Sequence, residues 1–402
     1  MAEAPAAPWL TIVGIGEDGV AGLSPASREA IACAELVTGA ARHLALLPGL
    51  TCEAVTWPVP FAEGIARLIA RRGQRVVMLA SGDPFWFGAG SVVTQGLDPD
   101  EWIAHPAPSS FALAAARLGW PLERTACLGL HAAPLSRLRV HLAPGRRLLA
   151  LVRGGAAVGD VATYLRDRDF SASRLHVLEA LGGPRERVRH ATAATMAFAD
   201  ISHPVALGIE VVGDGATLPC CTGLPDDLFE HDGQITKRPV RALTLSALAP
   251  RPGETLWDIG AGAGSIGIEW LLAHPDNAAL AFEAVSVRAT RARANAAALG
   301  VDRLVVIEGR APEVLAGHRA PDAVFVGGGL SAPLLEALCA QLPGGTRLVA
   351  NAVTLESEAM LAHWHAAKGG ALLRIELAEA APIGSRRGWR AAYPLVQWST
   401  VL

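Results

Sequence analysis

The chain has 402 residues, 51% of them hydrophobic and 18% charged, with a formal net charge of −3 at pH 7. This length exceeds one ordinary domain of about 100–200 residues and favours two domains. No apolar run approaches the roughly 20 residues that a membrane-spanning helix needs, and no lysine-rich block offers a footprint for nucleic acid. The composition therefore excludes membrane and nucleic-acid binding and leaves a small anionic ligand open.

The first residues predict the cellular location of the protein, and its cysteines and histidines predict whether it has a metal site. MAEAPAAPWL has no Lys or Arg before its short apolar stretch, so it lacks the charged region of a signal peptide and we expect a cytoplasmic protein. The six cysteines show no CxxC spacing and the histidines show no ligand spacing. We therefore expect free thiols and no metal site.

The first half of the chain alternates between strand and helix patterns. LTIVGIG (10–16) predicts a strand, and SPASREAIACAELV (24–37) predicts a helix that Ser24 and Pro25 begin as N-cap and first turn. Further strands are expected over 75–80, 147–152, 174–181 and 205–212, and helical stretches such as 61–72 lie between several of them. This alternation predicts an α/β architecture.

A stretch without periodicity, GDGATLPCCTGLPDDLFEHDG (213–233), is dense in Gly, Pro and Asp and is typical of a linker. A second alternating series follows it. Its helices are expected over 237–248, from 265, and over 287–300, 331–342 and 355–368, and its strands over 255–260, 278–284, 304–309, 323–328 and 347–353. We therefore predict two α/β domains, 1–212 and 233–402, joined by a linker over 213–232.

A glycine cluster in the second domain predicts a nucleotide-like cofactor. Asp258 and the cluster that follows it lie where a buried strand ends and a helix begins. Glycines there let the backbone approach a ligand closely, and the free N–H groups of the helix carry partial positive charge. Glu283 ends the next strand 19 residues after Gly264, where an acidic side chain can accept hydrogen bonds from both ribose hydroxyls.

Spacing alone leaves the cofactor open, because Gly262, Gly264 and Gly267 also satisfy the dinucleotide fingerprint GxGxxG. An NAD-dependent oxidoreductase is therefore an alternative. DIGAGAGSIGIE (258–269), with EGRAPEVL (308–315) and PDAVFVGGG (321–329), resembles the class I methyltransferases, whose cofactor is S-adenosylmethionine. From about Gly233 to about Thr354 the chain is similar to the small methyltransferases and decarboxylases of corrin synthesis.

That resemblance implies a set of cofactor-binding residues in the second domain. The glycine turn would hold the methionine tail, Glu283 the ribose, Thr236 would lie on the entry loop and Ala311 beside the adenine. Arg310 stands where relatives commonly have Asp, so the adenine contact is expected from the backbone of Ala311. The turn consists of Gly260, Ala261, Gly262, Ala263 and Gly264.

The first domain carries a second set of turns. VGIGEDGVAGLSP (13–25), LASGDPFWFGAG (79–90) and HPAPSSFALAAARLG (105–119) are each explained by turn and cap chemistry. Together with HVLEALGGPRERV (176–188) they resemble the tetrapyrrole methylase family over residues 8–212. The resemblance implies a second S-adenosylmethionine site formed by Gly14, Gly16, Gly82, Asp83, Pro84, Ser109 and Ser110.

The two resemblances together imply a bifunctional enzyme of cobalamin synthesis with one S-adenosylmethionine per domain. The first domain would methylate carbon 5 of a precorrin, and the second would methylate carbon 15 and remove the carboxyl group of the acetate on carbon 12. The acceptor carbon is itself nucleophilic, so positioning suffices and no catalytic residue is assigned. A non-catalytic scaffold with methyltransferase folds is a further alternative.

Two expectations concern what the chain contacts. Precorrins carry several carboxylates, and guanidinium groups bind carboxylates through charge-assisted bonds. The candidates for this contact are Arg238, Arg241, Arg386, Arg387 and Arg390. The resemblance also implies a homo-oligomer assembled through the C-terminal domain.

Overall fold

The computed structural model describes residues 8–402. Most of the leading segment on which the signal-peptide argument rests, residues 1–7, lies outside this range. The described chain divides into two compact units. The N-terminal unit runs to Leu135 and includes His141–Ala216, and the C-terminal unit comprises Ser136–Val140 and Thr217–Leu402. Both units combine helices with sheets, so the predicted α/β class is confirmed.

The N-terminal unit begins with a five-stranded parallel sheet. Its strands are β1 (Leu10–Ile15), β2 (Leu36–Gly39), β3 (Glu53–Thr56), β4 (Val76–Ser81) and β5 (Trp102–His105). They lie in the order β3-β2-β4-β1-β5. The central strands β1 and β4 are apolar and buried along almost their whole length, as expected for a parallel sheet covered on both faces.

A second five-stranded sheet completes this unit. Its strands are β6 (Thr125–Gly129), β7 (Arg147–Leu151), β8 (Arg174–Glu179), β9 (Arg187–Thr192) and β10 (Val205–Glu210). They lie in the order β6-β7-β10-β8-β9, and only the β6–β7 pair is parallel. The α-helices of the unit are α1 (Pro25–Cys33), α2 (Ala41–Ala45), α3 (Ala62–Ile69), α4 (Gly90–Val93), α5 (Ser110–Leu118) and α6 (Gly155–Arg166).

One predicted helix of this unit is too long. Ser24 caps α1 as expected, since its hydroxyl accepts from the Ser27 N–H at 3.1 Å. The helix ends at Cys33, however, because Ala34 is extended, and the apolar residues that follow form β2 instead. Val37 pairs with Val77 of β4 and is fully buried, so sheet pairing wins over continuation of the helix.

The C-terminal unit contains a seven-stranded sheet and a separate hairpin. The strands are β11 (Thr255–Ile259), β12 (Ala278–Glu283), β13 (Val305–Glu308), β14 (Ala323–Val326), β15 (Arg347–Ala352), β16 (Ala371–Ile375), β17 (Ala378–Ile383), β18 (Arg386–Ala391) and β19 (Leu395–Val401). The helices are α7 (Arg238–Leu248), α8 (Ser265–Ala273), α9 (Ser286–Ala298), α10 (Ala332–Gln341) and α11 (Leu355–Lys368). The alternating elements predicted between 237 and 368 are therefore present.

The sheet order of this unit is β13-β12-β11-β14-β15-β19-β16. The first five strands are parallel. Strand β19 then inserts antiparallel between β15 and β16, and β17 pairs with β18 as an isolated hairpin. Because the strands β11, β12, β14 and β15 run in the same direction, their carboxyl ends meet at one edge, where ligands bind in open α/β sheets.

The segment predicted as a linker contributes to the core of the C-terminal unit. Leu224 and Phe229 are buried and pack against the α7–α8 side of the sheet. A sequence pattern dense in Gly, Pro and Asp does not reveal these two anchoring side chains, which are separated by only a short 3₁₀ turn.

A buried ion pair holds this segment in place. Arg241 is fully buried, and its Nε donates to Glu269 Oε1 at 2.5 Å. The Glu269 carboxylate also accepts from the N–H groups of Gly223 at 2.6 Å and Leu224 at 2.9 Å, and Arg241 donates to the carbonyl of Thr236 at 2.5 Å. The pair therefore fixes both ends of residues 223–236, and Arg241 cannot be the substrate-binding arginine that the sequence suggested.

We expect Arg241→Gln to destabilise the C-terminal unit by about 3–5 kcal/mol, because Glu269 keeps its charge in the interior without its partner. The matched control is Arg238→Gln on the same helix, where the side chain is exposed and the change should stay within about 0.5 kcal/mol. Urea unfolding measures the stability of both variants, and hydrogen exchange of peptides from residues 255–283 reports on the C-terminal unit. Equal stability of the two variants would contradict this role.

Candidate functional site

The glycine turn after β11 is shaped by its backbone. Gly260, Gly262 and Gly264 have φ angles of +70°, +57° and +76°, a region that side chains disfavour. A Cβ on Gly260 would lie 2.5 Å from the backbone of Gly328 in the turn after β14. A Cβ on Gly262 would meet only the Gln234 carbonyl oxygen, at 3.5 Å. Gly260 is therefore required by backbone packing, whereas Gly262 faces open space.

A buried carboxylate lies directly beneath this turn. Asp258 is 1% exposed, and its Oδ2 accepts from the N–H of Gly267 at 2.9 Å. Its Oδ1 has no hydrogen-bond partner among the described residues. Burial is the main reason that the pKa of Asp258 is raised to about 7. The hydrogen bond from Gly267 lowers this pKa, and the negative charge of Glu283 raises it. An unpaired buried carboxylate is costly, so a positively charged ligand at the turn would stabilise it.

Glu283 connects the turn to the next strand. It is 5% exposed, its Oε2 accepts from the N–H of Gly262 at 2.8 Å, and its Oε1 accepts from the N–H of Val285 at 2.8 Å. An ionised carboxylate offers about four acceptor positions, so two remain for a ligand. Glu283 therefore orients the glycine turn and can still accept from the hydroxyls of a ribose.

A cavity of about 830 Å³ opens beside the turn. Six of the residues predicted for the cofactor line it, namely Thr236, Gly260, Ala261, Gly262, Glu283 and Ala311. Ala263 and Gly264 are not among the lining residues. The Ala263 carbonyl accepts from Asn295 Nδ2 at 2.9 Å, and the Gly264 N–H donates to the Ala261 carbonyl at 2.8 Å, so these two shape the turn from below.

The cavity extends beyond the cofactor residues. Other lining residues belong to the turn after β14, to β15 and to the segments that follow β16 and precede β19, including Gly327, Gly328, Gly329, Asn351, Leu377 and Tyr393. Asn351 is held by Thr244, whose Oγ1 accepts from Asn351 Nδ2 at 3.0 Å. The volume lies in the upper part of the range of about 300–1,000 Å³ for small-molecule sites. It leaves room for a second ligand next to the cofactor.

The cations at this cavity differ from the predicted arginines. Lys237, Arg288 and Arg310 line it, and Arg288 Nε donates to Asp232 at 2.8 Å. The candidates Arg238, Arg386, Arg387 and Arg390 are not among the lining residues, and the last three lie on the exposed β17–β18 hairpin. The sequence does not reveal which cations line the cavity, because the path of the loops decides which side chains face it.

The charges at the turn discriminate between the two cofactors that the glycine spacing allows. A dinucleotide brings an anionic pyrophosphate to this position, where ionised Asp258 would repel it. S-adenosylmethionine brings a sulfonium and an ammonium group, which Asp258 attracts. Glu283 suits either cofactor, because an acid at its position also holds the ribose of a dinucleotide. The antiparallel insertion of β19 also departs from the classic dinucleotide order 3-2-1-4-5-6. The residues present therefore fit S-adenosylmethionine.

The N-terminal unit brings its predicted site residues to one edge of the parallel sheet. A Cβ on Gly14 would lie 2.0 Å from the Gly82 carbonyl oxygen and 2.5 Å from the Ala107 nitrogen. The Gly82 N–H donates to the Ile15 carbonyl at 3.0 Å. Gly16, Asp83 and Pro84 are adjacent in the chain to these contacts. The end of β1 and the loops after β4 and β5 therefore meet by direct backbone contact.

Turn and cap chemistry is also present at this edge. Ser109 accepts from the Ala112 N–H at 3.1 Å and caps α5, of which Ser110 is the first residue. Asp83 Oδ1 accepts from the Phe85 N–H at 2.8 Å. These bonds explain the local structure, and cofactor binding by the seven residues of this unit stays a prediction.

Three observations concern the described residues as a whole. All six cysteines lie in this part of the chain and are free thiols. Within residues 8–402, no group of three His, Cys, Asp or Glu side chains is arranged to hold a metal ion. In the same range, no helix has the length and apolar character to cross a membrane.

Comparison with known proteins matches both units. The family described as "Tetrapyrrole (Corrin/Porphyrin) Methylases" matches residues 9–197, and "Precorrin methyltransferase domain" matches residues 227–402. A Sinorhizobium sp protein named precorrin-6Y C(5,15)-methyltransferase (decarboxylating) is 51% identical over 397 residues, which is 98% of this chain and 96% of that protein. A Mycobacterium tuberculosis (strain CDC 1551 / Oshkosh) protein of the same name is 40% identical over 396 residues, 97% of this chain and 99% of that protein.

One solved structure is the C-terminal domain of precorrin-6Y C5,15-methyltransferase from Rhodobacter capsulatus. It is 49% identical, it covers 46% of this chain and all of that chain, and its TM-score is 0.45.

The chain is thus a methyltransferase built from a tetrapyrrole methylase domain and a class I methyltransferase domain. It belongs to the family of precorrin-6Y C5,15-methyltransferases (decarboxylating), since the two members just described are 51% and 40% identical to it over almost its whole length. Precorrin methyltransferases take the methyl group from S-adenosylmethionine, which agrees with the charges beneath the glycine turn.

We expect Gly262→Leu to abolish binding at the C-terminal cavity, because its side chain would project from the turn into the space that the ligand needs. Titration calorimetry with S-adenosylhomocysteine measures the loss. Gly317→Leu is the matched control, since Gly317 also has a positive φ, +81°, with no atom within 4 Å of its Cβ position and no place in the cavity lining. Retained binding in Gly262→Leu would contradict the assignment of this turn.

We also expect ligand affinity at this cavity to rise with pH up to about 7. The raised pKa of Asp258 leaves it protonated at lower pH, whereas a cationic ligand favours the ionised form, so binding releases a proton. The gain is at most about tenfold per pH unit and ends above the pKa. Calorimetry with S-adenosylmethionine in the absence of a methyl acceptor should show this slope in the wild type and lose it in Asp258→Asn. An affinity in the wild type that is constant or falls over this range would contradict it.

Proposed function

We propose that this chain methylates precorrin-6Y at carbons 5 and 15 and decarboxylates the ring C acetate, giving precorrin-8X in cobalamin biosynthesis. The observation that carries the proposal is the alignment of full-length relatives of that name over at least 97% of the chain. The glycine turn, with Asp258 and Glu283 beneath it, supports the donor chemistry independently of those names.

The proposal includes one S-adenosylmethionine per unit. When bound, this cofactor supplies a methyl group on a positively charged sulfur. In the C-terminal unit the backbone from Gly260 to Gly264 would hold its amino-acid tail, Glu283 its ribose and the Ala311 backbone its adenine. In the N-terminal unit the loops after β1, β4 and β5 would hold a second molecule. In both units the position of the cofactor would be fixed mainly by the backbone of these loops.

The work of the chain is mainly positioning. Methyl transfer needs the nucleophilic carbon about 3 Å from the methyl group, aligned with the bond that breaks, and shielded from water. The three successive glycines of the turn after β14, which line the C-terminal cavity, would allow a flat macrocycle to approach. Lys237 and Arg310 at the rim would pair with carboxylates of the precorrin.

We assign the two methylations to different units. The N-terminal unit would act on carbon 5, and the C-terminal unit would act on carbon 15 and release carbon dioxide. Decarboxylation leaves an electron pair, which the conjugated macrocycle can accept, so the protein's part is again to hold the acetate. No methyl donor takes part in that step.

The expected homo-oligomer is also part of the proposal. The β17–β18 hairpin and its exit expose Ile383, Trp389 and Tyr393, with Trp389 78% accessible. Exposed apolar groups of this size on one projecting element are typical of an interface. The hairpin is the surface that a second copy of the C-terminal unit would cover.

We expect the purified full-length chain, given reduced precorrin-6 (precorrin-6Y) and S-adenosylmethionine, to add two methyl groups and release one carbon dioxide, as measured by mass spectrometry. Calorimetry with S-adenosylhomocysteine should give two sites per chain and one site in Gly262→Leu. That variant should keep methylation at carbon 5 and lose methylation at carbon 15. The control Gly317→Leu should keep both methylations. Binding of NADH without S-adenosylhomocysteine would favour the oxidoreductase, and no binding of either would favour a scaffold.

A further inference from the structure

A charged cluster lies at the edge of the N-terminal parallel sheet, outside the residues assigned to the cofactor. Glu17 follows β1 by two residues, Arg42 and His43 lie on α2 directly after β2, and Ser81 ends β4. Ser81 is in register with Ile15 of β1. Because these parallel strands end at one edge, the cluster is adjacent to Gly82, whose N–H bonds the carbonyl of that same Ile15.

A single buried carboxylate holds two guanidinium groups in this cluster. The Glu17 side chain is 6% exposed, its Oε1 accepts from Arg42 Nη1, and its Oε2 accepts from Arg185 Nη2 at 2.9 Å. The backbone supports this arrangement, since a Cβ on Gly183 would lie 2.5 Å from the Glu17 Cβ. Two positive charges on one negative charge leave an excess of one positive charge at the edge of the sheet.

The guanidinium of Arg42 is oriented by a neutral imidazole and a hydroxyl. Its Nη2 donates to Ser81 Oγ at 2.8 Å and lies 2.9 Å from His43 Nε2, and Ser81 Oγ is 2.9 Å from the same nitrogen. A guanidinium can only donate, so His43 Nε2 must act as an acceptor. Burial, with the charge of Arg42, lowers the pKa of His43 to about 4, which keeps the imidazole neutral.

Both arginines retain accessible donors. The Arg42 side chain is 29% exposed and the Arg185 side chain 60% exposed. Each guanidinium has five N–H donors in a planar fork, and Glu17 takes one nitrogen of each. Arg42 Nη2 is occupied by Ser81 and His43, so Arg42 can add a single hydrogen bond to a carboxylate, whereas Arg185 can offer two parallel hydrogen bonds through its other nitrogens. His203 lies near the same charges, since burial and then Arg42 lower its pKa, against the effect of Glu17.

We infer that Arg42 and Arg185, fixed by Glu17, form a subsite for a carboxylate side chain of the tetrapyrrole acceptor in the N-terminal unit. This inference rests on the proposed function. The acceptor is a polycarboxylate that must lie beside the donor loops, and these two guanidiniums are beside them. The carboxylate of the donor's own amino-acid tail shares the same chemistry, so the test separates the two sources.

The test uses the full-length chain with Arg42→Gln and Arg185→Gln made separately, so that Glu17 keeps one partner in each variant. We expect the KM of the acceptor for carbon 5 methylation to rise by about tenfold to a hundredfold, with a smaller change in kcat and with less dependence of KM on salt than in the wild type. Methylation at carbon 15 by the same chain is the internal control and should not change. Arg174→Gln, an exposed arginine paired with Glu210, is the matched control variant.

Two binding measurements do not depend on turnover. Affinity for S-adenosylhomocysteine should be equal in the wild type and both variants. Quenching titrations with uroporphyrin III, a polycarboxylated tetrapyrrole, should show weaker binding in the variants, and its fully esterified form should show no difference.

Three results would overturn the subsite. The first is an unchanged KM for carbon 5 methylation. The second is a loss of thermal stability with unchanged tetrapyrrole binding, which would make the cluster a purely structural contact. The third is weaker binding of S-adenosylhomocysteine, which would assign the arginines to the donor. A wild-type chain that methylates no carbon would instead refute the proposed function, and the uroporphyrin titration would then still decide the subsite.

Discussion

The C-terminal site depends on negative charge held beneath a turn that has no side chains of its own. Asp258 accepts from the first turn of α8 and Glu283 accepts from Gly262, so the two carboxylates define the path of the chain between them. The arrangement is costly without a ligand, because Asp258 is buried with one oxygen unpaired. A cation placed at the turn removes that cost, whereas an anion increases it. Selection of the donor thus follows from the electrostatics of the turn rather than from its glycine spacing.

The two units place their predicted cofactor residues at similar positions in the sheet but with different local structures. In the C-terminal unit, acidic side chains orient a glycine turn at the end of β11. In the N-terminal unit, three loops meet through backbone contacts around Gly14 and Gly82, and the charges near them are arginines around Glu17. The C-terminal cavity and the residues predicted for a cofactor in the N-terminal unit both lie at the carboxyl edge of parallel strands, where several chain segments end together. The two places share this position in the sheet and differ in the charges around them.

Much of the fold follows from pattern, and the exceptions have physical causes. Long periodic elements such as α7 and α11 were predicted almost to the residue, because packing of one face agrees with local preference. Strand β2 was assigned to the preceding helix, since Leu36 and Val37 suit either structure until β4 supplies a partner. Strands β17 and β18 were not predicted, because Ala378–Ile383 and Arg386–Ala391 are exposed and carry little alternation. Glu283 and the glycines could be predicted from spacing, whereas the burial of Arg241 and the pairing of Glu17 with Arg42 and Arg185 depend on contacts far apart in sequence.

The approach of Gly260 to Gly328 has a mechanical consequence. The turn after β11 and the turn after β14 touch through main chain, since a Cβ on Gly260 would lie 2.5 Å from the Gly328 backbone. The distance between these two turns is therefore set by the pairing of β11 with β14 in the sheet. In the proposed function, where one turn holds the donor and the other admits the acceptor, this pairing would fix the separation of the two reactants independently of the side chains around the cavity.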